Sequence, residues 1–190
     1  MAHDESETGA VLLAAGGGSR FRGSTHKLLA HIDGRPVVVR AVEALVRAGV
    51  GPSAVVSGPA PIGGLLPPGV VELANPRWEE GQATSLAVAV DWARAAGFGA
   101  LVVGLGDQPG ILASAWRAVA AVNVTPIAVA TYSGTRGHPV RLARSVWDRL
   151  PVRGDRGAGG VIAESPELVT EVACDGDAWD VDTVEDLSRW

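Results

Sequence analysis

Six short apolar runs divide this chain: AVLLAA (10–15), SAVVSG (53–58), VVELA (70–74), ALVVGL (100–105), PIAVATYS (126–133) and LVTEVAC (168–174). Each is too short for an ordinary helix and most are closed by glycine, so each reads as a strand. AVLLAA and ALVVGL are continuously apolar rather than alternating, which reads as strands buried on both faces. Segments of helical composition lie between them. PVVVRAVEALVRAG opens on Pro36, suited to a first helical turn, and stops at Gly49. ATSLAVAVDWARAAG stops at Gly97, and ILASAWRAVAAV follows the fourth run. Strand and helix in alternation restrict the fold to a three-layer α/β architecture, a mostly parallel sheet with helices on both faces. GTRGHPVRL reads as a hairpin with a second short strand, and SVWDRL, GAGGVIAES and TVEDLSRW read as short helical pieces. One domain is expected over 9–190, behind a polar, disordered tail over 1–8.

A chain of 190 residues, 47% of them hydrophobic, can bury a full core as one domain. The net charge is −5 and no basic tract occurs, so the footprint of a nucleic-acid binder is missing. A small anion needs only a local positive site. Cys174 is the single cysteine, which excludes an intramolecular disulfide and a cysteine-based zinc cluster. MAHDESETGA has no signal-peptide core, and no apolar run reaches membrane-spanning length. A cytoplasmic protein without a membrane partner is the expectation.

In open α/β sheets, ligands bind beyond the carboxyl ends of the strands. Three loops qualify: 16–27, 75–82 and 106–110. The first is GGGSRFRGSTHK. Gly16, Gly17 and Gly18 free the backbone to form an anion-binding concavity. Arg20 adds a planar fork, Arg22 a further charge and Lys27 a compact one. Lys27 is the only lysine; every other strongly basic side chain is arginine. An ammonium on a flexible stem can follow a phosphate oxygen through a reaction. Two familiar phosphate loops do not fit, because Ser24 stands where the Walker A lysine belongs and Phe21 replaces the last glycine of the dinucleotide fingerprint.

Asp107, in GLGDQPG, suits a turn or helix cap; beside a phosphate loop it also suits Mg²⁺, which takes one or two carboxylates and completes its shell with phosphate and water. DVDTVEDL offers Asp180 and Asp182, and reads equally as a capping box, with Asp182 or Thr183 as the cap and Glu185 or Asp186 in the first turn. NPRWEEGQATSL sets Trp78 in a loop, then opens a helix at Gly81, Gln82, Thr84 and Ser85, whose N-terminus suits an anion. His138 lies in the hairpin, where a histidine is either a packing or a pocket residue.

LLAAGGGSRFRGSTHKLL resembles the signature of the MobA-like nucleotidyltransferases, Leu-Ala-Ala/Gly-Gly-x-x-x-Arg-Phe/Met-Gly-x-x-Lys, with Arg22 where glycine is usual and a slightly longer gap before the lysine. GDQP, NPRWEEGQATSL, GHP and VDTVEDL are similar to motifs of the molybdenum cofactor cytidylyltransferase branch, with Val184 in place of a proline. GDRGAGG resembles its Gly-Asp-x-Gly-Ala-Arg segment, with Gly159 in place of the arginine. The likeness spans about residues 10 to 190.

The resemblance implies a Rossmann-like nucleotide-diphospho-sugar transferase fold and an enzyme that moves CMP from CTP to a phosphorylated acceptor, molybdopterin, releasing pyrophosphate. It assigns nucleotide binding to Leu13, Ala14, Ala15, Gly16, Gly17, Gly18, Ser19, Arg20 and Lys27. It gives catalytic roles to Arg20, Lys27 and Asp107, and Mg²⁺ to Asp107 and Asp182. Asn75, Trp78, Gly81, Gln82, Ser85 and His138 would line the acceptor pocket. LAAG at 13–16, where the guanylyl branch has Leu-Ala-Gly-Gly, leans toward CTP. A transient contact with a molybdoenzyme or its chaperone is implied as well. GTP or another NTP, a sugar phosphate or phospholactate-type acceptor, and a non-catalytic module that delivers nucleotide or cofactor all stay open.

Overall fold

The computed structural model describes residues 7–189. Its elements follow in chain order. β1 is Thr8–Ala14, and a two-residue hairpin pairs β2 (His31–Ile32) with β3 (Arg35–Pro36) across the Asp33–Gly34 turn. Helix α1 covers Val37–Ala48, then come β4 (Ser53–Ser57) and β5 (Val70–Ala74). Helix α2 (Gln82–Ala96) leads to β6 (Ala100–Leu105), and α3 (Ala113–Ala120) to β7 (Ile127–Tyr132) and β8 (Thr135–Ala143). Short α4 (Gly159–Glu164) and β9 (Val169–Ala173) precede a 3₁₀ helix at Glu185–Arg189. All six apolar runs are strands.

The main sheet has seven strands in the order β5-β4-β1-β6-β8-β7-β9. Only β8 runs against the rest. The expected short hairpin strand is nine residues long: β8 pairs with β7 from Thr135 to Leu142 and, along its other edge, with β6 over Val140–Ala143. Its register against β7 jumps between Val129 and Ala130, so that His138 and Pro139 stand outside the ladder as a bulge.

Continuous apolarity in β1 has its structural cause in two cores. Val11 and Leu13 join the cluster under α2, whereas Ala10, Leu12 and Ala14 join the cluster under α1 and α3. In β6 the same alternation holds, and Gly104 is needed there, since an added Cβ would lie 2.5 Å from the buried Trp116 ring. Gly49 and Gly97 end α1 and α2 in the left-handed conformation, as their positions in the sequence imply. Of the expected tail, residues 1–6 lie outside the described residues, and Thr8 already pairs with Ala100.

The chain leaves β1 for β4 on one side and returns to β6 on the other. That reversal opens a crevice at the carboxyl ends of β1 and β6, where the first and third loops emerge.

Candidate active site

Beyond Ala14 the chain turns through the glycine run. Gly18 has φ +64°, and its carbonyl accepts from the Phe21 amide at 2.9 Å. At Gly17 an added Cβ would meet Trp78 Cζ3 at 2.5 Å, so the glycine lets the indole lie against the loop backbone. His26 ties the end of the loop to its start. Its Nδ1 accepts from the Leu28 amide (3.2 Å), which leaves the proton on Nε2 to donate to the Gly16 carbonyl (3.1 Å). Burial lowers the pKa of this imidazole and keeps it neutral. Sequence reasoning missed His26. The available signal was its place just ahead of Lys27, as the cap of the 3₁₀ helix Lys27–Leu29.

That short helix carries Lys27 inward, to 9% exposure. Nζ donates to Asp107 Oδ2 at 2.6 Å and to Asp182 Oδ1 at 3.1 Å. Arg20 pairs with the other oxygen of Asp182 at 2.9 Å, its own side chain 77% exposed. Burial acts to lower the Lys27 pKa, but the two carboxylates outweigh it and raise it, so the group stays an ammonium. Two acids and two bases from three separate segments thus form one compact cluster.

Asp182 arrives on a strap, residues 176–182, laid across the loop after β6. Val181 N donates to the Asp107 carbonyl (2.9 Å), Asp177 N to that of Gly110 (3.2 Å), and Gln108 Nε2 to Ala178 O (3.0 Å) and Asp180 Oδ1 (2.8 Å). Val181 is fully buried with Ile32 and Val37, which fixes the strap between its two aspartates. The capping box is real, and Asp186 serves it. Asp186 Oδ2 accepts from the amides of Asp182 (3.0 Å) and Thr183 (2.8 Å), which holds its pKa down at about 2. The Asp182 carboxylate itself is turned to Lys27 and Arg20. Asp180 instead takes the Gln108 amide, and burial together with nearby Asp107 raises its pKa.

The opposite wall is the loop after β5. Asn75, 2% exposed, donates from Nδ2 to Thr84 Oγ1 (2.9 Å) and Ser85 Oγ (3.0 Å) and accepts at Oδ1 from Arg77 N (3.0 Å). These bonds fasten the loop to the start of α2. Gly81 has φ +104°, and an added Cβ would strike the Gly154 backbone at 2.5 Å. Segment 154–155 is clamped there by Ala83 N to Gly154 O (2.9 Å) and Gly154 N to Glu80 O (3.0 Å).

Together these walls enclose a cleft of about 420 Å³. From β1 and the first loop, Leu13, Ala15, Gly16, Gly17, Gly18, Ser19, Arg20 and Lys27 line it; from the second, Trp78, Gly81, Gln82 and Ser85; Asp107 and Asp182 line it beside Lys27. Ala14 is buried in the core, Asn75 lies behind the wall, and Arg22 does not line the cleft. His138 also stands back from it, half-buried on the β8 bulge, with burial pushing its pKa down to about 4 against the pull of Asp107. Glu79, Leu105 and Asp155 line the cleft without having been singled out. Glu79 sits within the loop 75–82, where nothing sets it apart from other surface acids, whereas Asp155 is the aspartate of GDRGAGG, a segment read for its missing arginine and not for this residue.

The family model of the MobA-like NTP transferase domain matches residues 10–169. The chain belongs to that family. No curated protein sequence matches it. Among solved structures, Rv0371c from Mycobacterium tuberculosis H37Rv is 28% identical, with 98% of each chain covered and a TM-score of 0.84. The same mycobacterial protein in complex with manganese superposes with a TM-score of 0.77, again at 28% identity and 98% coverage of each chain. A nucleotidyl transferase from Methanothermobacter thermautotroptrophicus shares the fold, at 21% identity, 96% and 95% coverage and a TM-score of 0.80. Of the residues lining the cleft of this MobA-like transferase domain, only Asp182 lies outside the matched 10–169, and the metal fit can be judged from these residues themselves. Among the described residues no group of three or more His, Cys, Asp or Glu side chains gathers as a metal cage. Asp107 and Asp182 nevertheless converge on one cationic centre, the ammonium of Lys27. Two carboxylates aimed at one point suit a divalent ion that takes the rest of its shell from phosphate and water.

Proposed function

We propose that this nucleotidyltransferase moves CMP from CTP to a phosphorylated acceptor of the molybdopterin type and releases pyrophosphate. The observation that carries the proposal is one charged cluster lining the cleft beside the glycine loop: Lys27 paired with Asp107 and Asp182, and Arg20 with Asp182. The glycine backbone, Arg20 and Lys27 receive the triphosphate. Asp107 and Asp182 would hold the divalent ion, taken to be Mg²⁺, which would neutralise phosphate charge when bound; that the mycobacterial relative forms a manganese complex supports the use of a divalent ion. An oxygen of the acceptor phosphate attacks the α-phosphorus in line, and the bond from that phosphorus to the pyrophosphate oxygen breaks. The acceptor oxygen is already ionised near neutral pH, so positioning and charge stabilisation carry the rate and no strong base is required.

Trp78, Gly81, Gln82 and Ser85 form the acceptor side, with Asn75 holding them from behind. His138 does not line the cleft and is given no contact with the acceptor. CTP is preferred over GTP on the LAAG sequence at 13–16. The test is pyrophosphate release from CTP, GTP, ATP and UTP, each with and without molybdopterin. Release that needs both CTP and molybdopterin is the expected result. Release with GTP alone among the four reassigns the nucleotide, and nucleotide binding without release under any condition makes the protein a delivery module.

A further inference from the structure

We infer that Lys27 holds the metal position in the protein by itself, so that a divalent ion binds tightly only together with a nucleotide; this rests on the nucleotidyltransferase reading above. The ammonium sits between the two carboxylates that would ligate the ion, 2.6 Å from Asp107 and 3.1 Å from Asp182. Its side chain is 11% exposed, and those of the aspartates 19% and 25%. A Mg²⁺ ion coordinated to both oxygens sits about 2.0–2.1 Å from each. It cannot share that space with an ammonium of the same sign. Metal entry therefore requires Lys27 to leave two carboxylates for which it is the buried counter-charge, and in a poorly hydrated setting that exchange is costly. A triphosphate changes the balance because its oxygens accept the displaced ammonium. The two ligands then favour each other's binding by the same factor, as linkage requires.

Arg20 supplies an internal control. It carries the same charge and binds the same Asp182, but from the outer oxygen and with its side chain largely in solvent. Removing it takes away a screened charge and leaves Lys27 in place. If charge alone governed the metal, the two residues would be equivalent; if occupancy governs it, only Lys27 matters.

The experiment is titration of Mn²⁺ alone, followed by the electron paramagnetic resonance signal of the free ion, into the wild-type protein, Lys27→Met, Lys27→Gln and Arg20→Gln, with circular dichroism to verify folding. No nucleotide is present in this arm, so it stands whatever the reaction is. Wild type should leave Mn²⁺ free at equimolar sub-millimolar concentrations. Both Lys27 variants should bind it at least ~10-fold tighter, and Arg20→Gln less than ~3-fold tighter. Lys27 variants no tighter than wild type, or an Arg20→Gln gain equal to theirs, overturn the inference. A second arm adds the α,β-methylene analogue of CTP, which should restore tight Mn²⁺ binding to the wild type. Tightening by Lys27→Met in the first arm without any effect of the analogue in the second keeps the role of Lys27 and refutes the nucleotide reading. If neither Lys27 variant folds, wild-type Mn²⁺ binding that is equally tight with and without the analogue overturns the inference by itself.

Discussion

Asn75 distinguishes a residue that touches the acceptor from one that shapes the wall. Its pattern in the sequence suggests contact, yet its side chain is buried and its polar atoms are spent on Thr84, Ser85 and Arg77. In Asn75→Ala all three bonds are lost. Arg77 N retains partial access to solvent, so no full desolvation penalty applies, and each bond counts for about 1 kcal/mol, roughly 3 kcal/mol in total. For a domain of this size 1 kcal/mol shifts Tm by about 2–4 °C, so the expected fall is about 6–12 °C. Ser85→Ala is the companion variant, since Ser85 lines the cleft and takes part in one of the three bonds. It should lower Tm by only about 2–4 °C, the same conversion applied to one bond. Scanning calorimetry measures the stabilities, and steady-state pyrophosphate release measures KM for nucleotide and acceptor. Asn75→Ala should lose stability and raise the acceptor KM through a displaced Trp78 loop, whereas Ser85→Ala should raise that KM with most stability kept. An Asn75→Ala protein of unchanged Tm, with only the acceptor KM raised, would refute the positioning argument and restore direct contact.

Asp107→Asn keeps the shape and removes a charge that Lys27 and the metal share; turnover should fall ~10²-fold or more, on the order of 3 kcal/mol, and near-normal rates at low Mg²⁺ would sink the assignment. Gly17→Ala should push Trp78 off the loop, because the new Cβ lies 2.5 Å from the ring; a cost of about 1–3 kcal/mol, a shifted tryptophan emission and weaker nucleotide binding by calorimetry are the expected signs. His26 predicts a pH effect whose sign follows from its lowered pKa. The folded state holds its proton less tightly than the unfolded one, so the contribution is complete above the ordinary value of 6.5 and is lost as pH falls through it toward the folded value. Wild-type Tm should therefore drop more between pH 7.5 and 5.5 than that of His26→Ala, and parallel curves would contradict the clamp.

Much of the architecture was legible in the sequence for a simple reason: buried parallel strands and glycine-stopped helices write their burial into contiguous residues. AVLLAA and ALVVGL read as two-face strands, and β1 does divide its side chains between two cores. Gly49 and Gly97 mark helix ends by a backbone conformation that other residues resist. The glycine loop, Lys27, Asp107 and Trp78 were legible too, since their motifs are local and follow strands. What the sequence could not determine is pairing at a distance. That Lys27 neutralises Asp107 and Asp182 depends on a strap held by Val181 and on a register that brings the ends of β1 and β6 together. Whether Asp182 caps the last helix or faces the cleft was undecidable along the chain, and it was decided by its pairing with Lys27 and Arg20, which lie far away in sequence. For the same reason Asn75 lies behind the wall and His138 outside the cleft. Spacing shows which loop a residue belongs to, whereas packing and hydrogen bonding in three dimensions select the side of that loop on which its side chain lies.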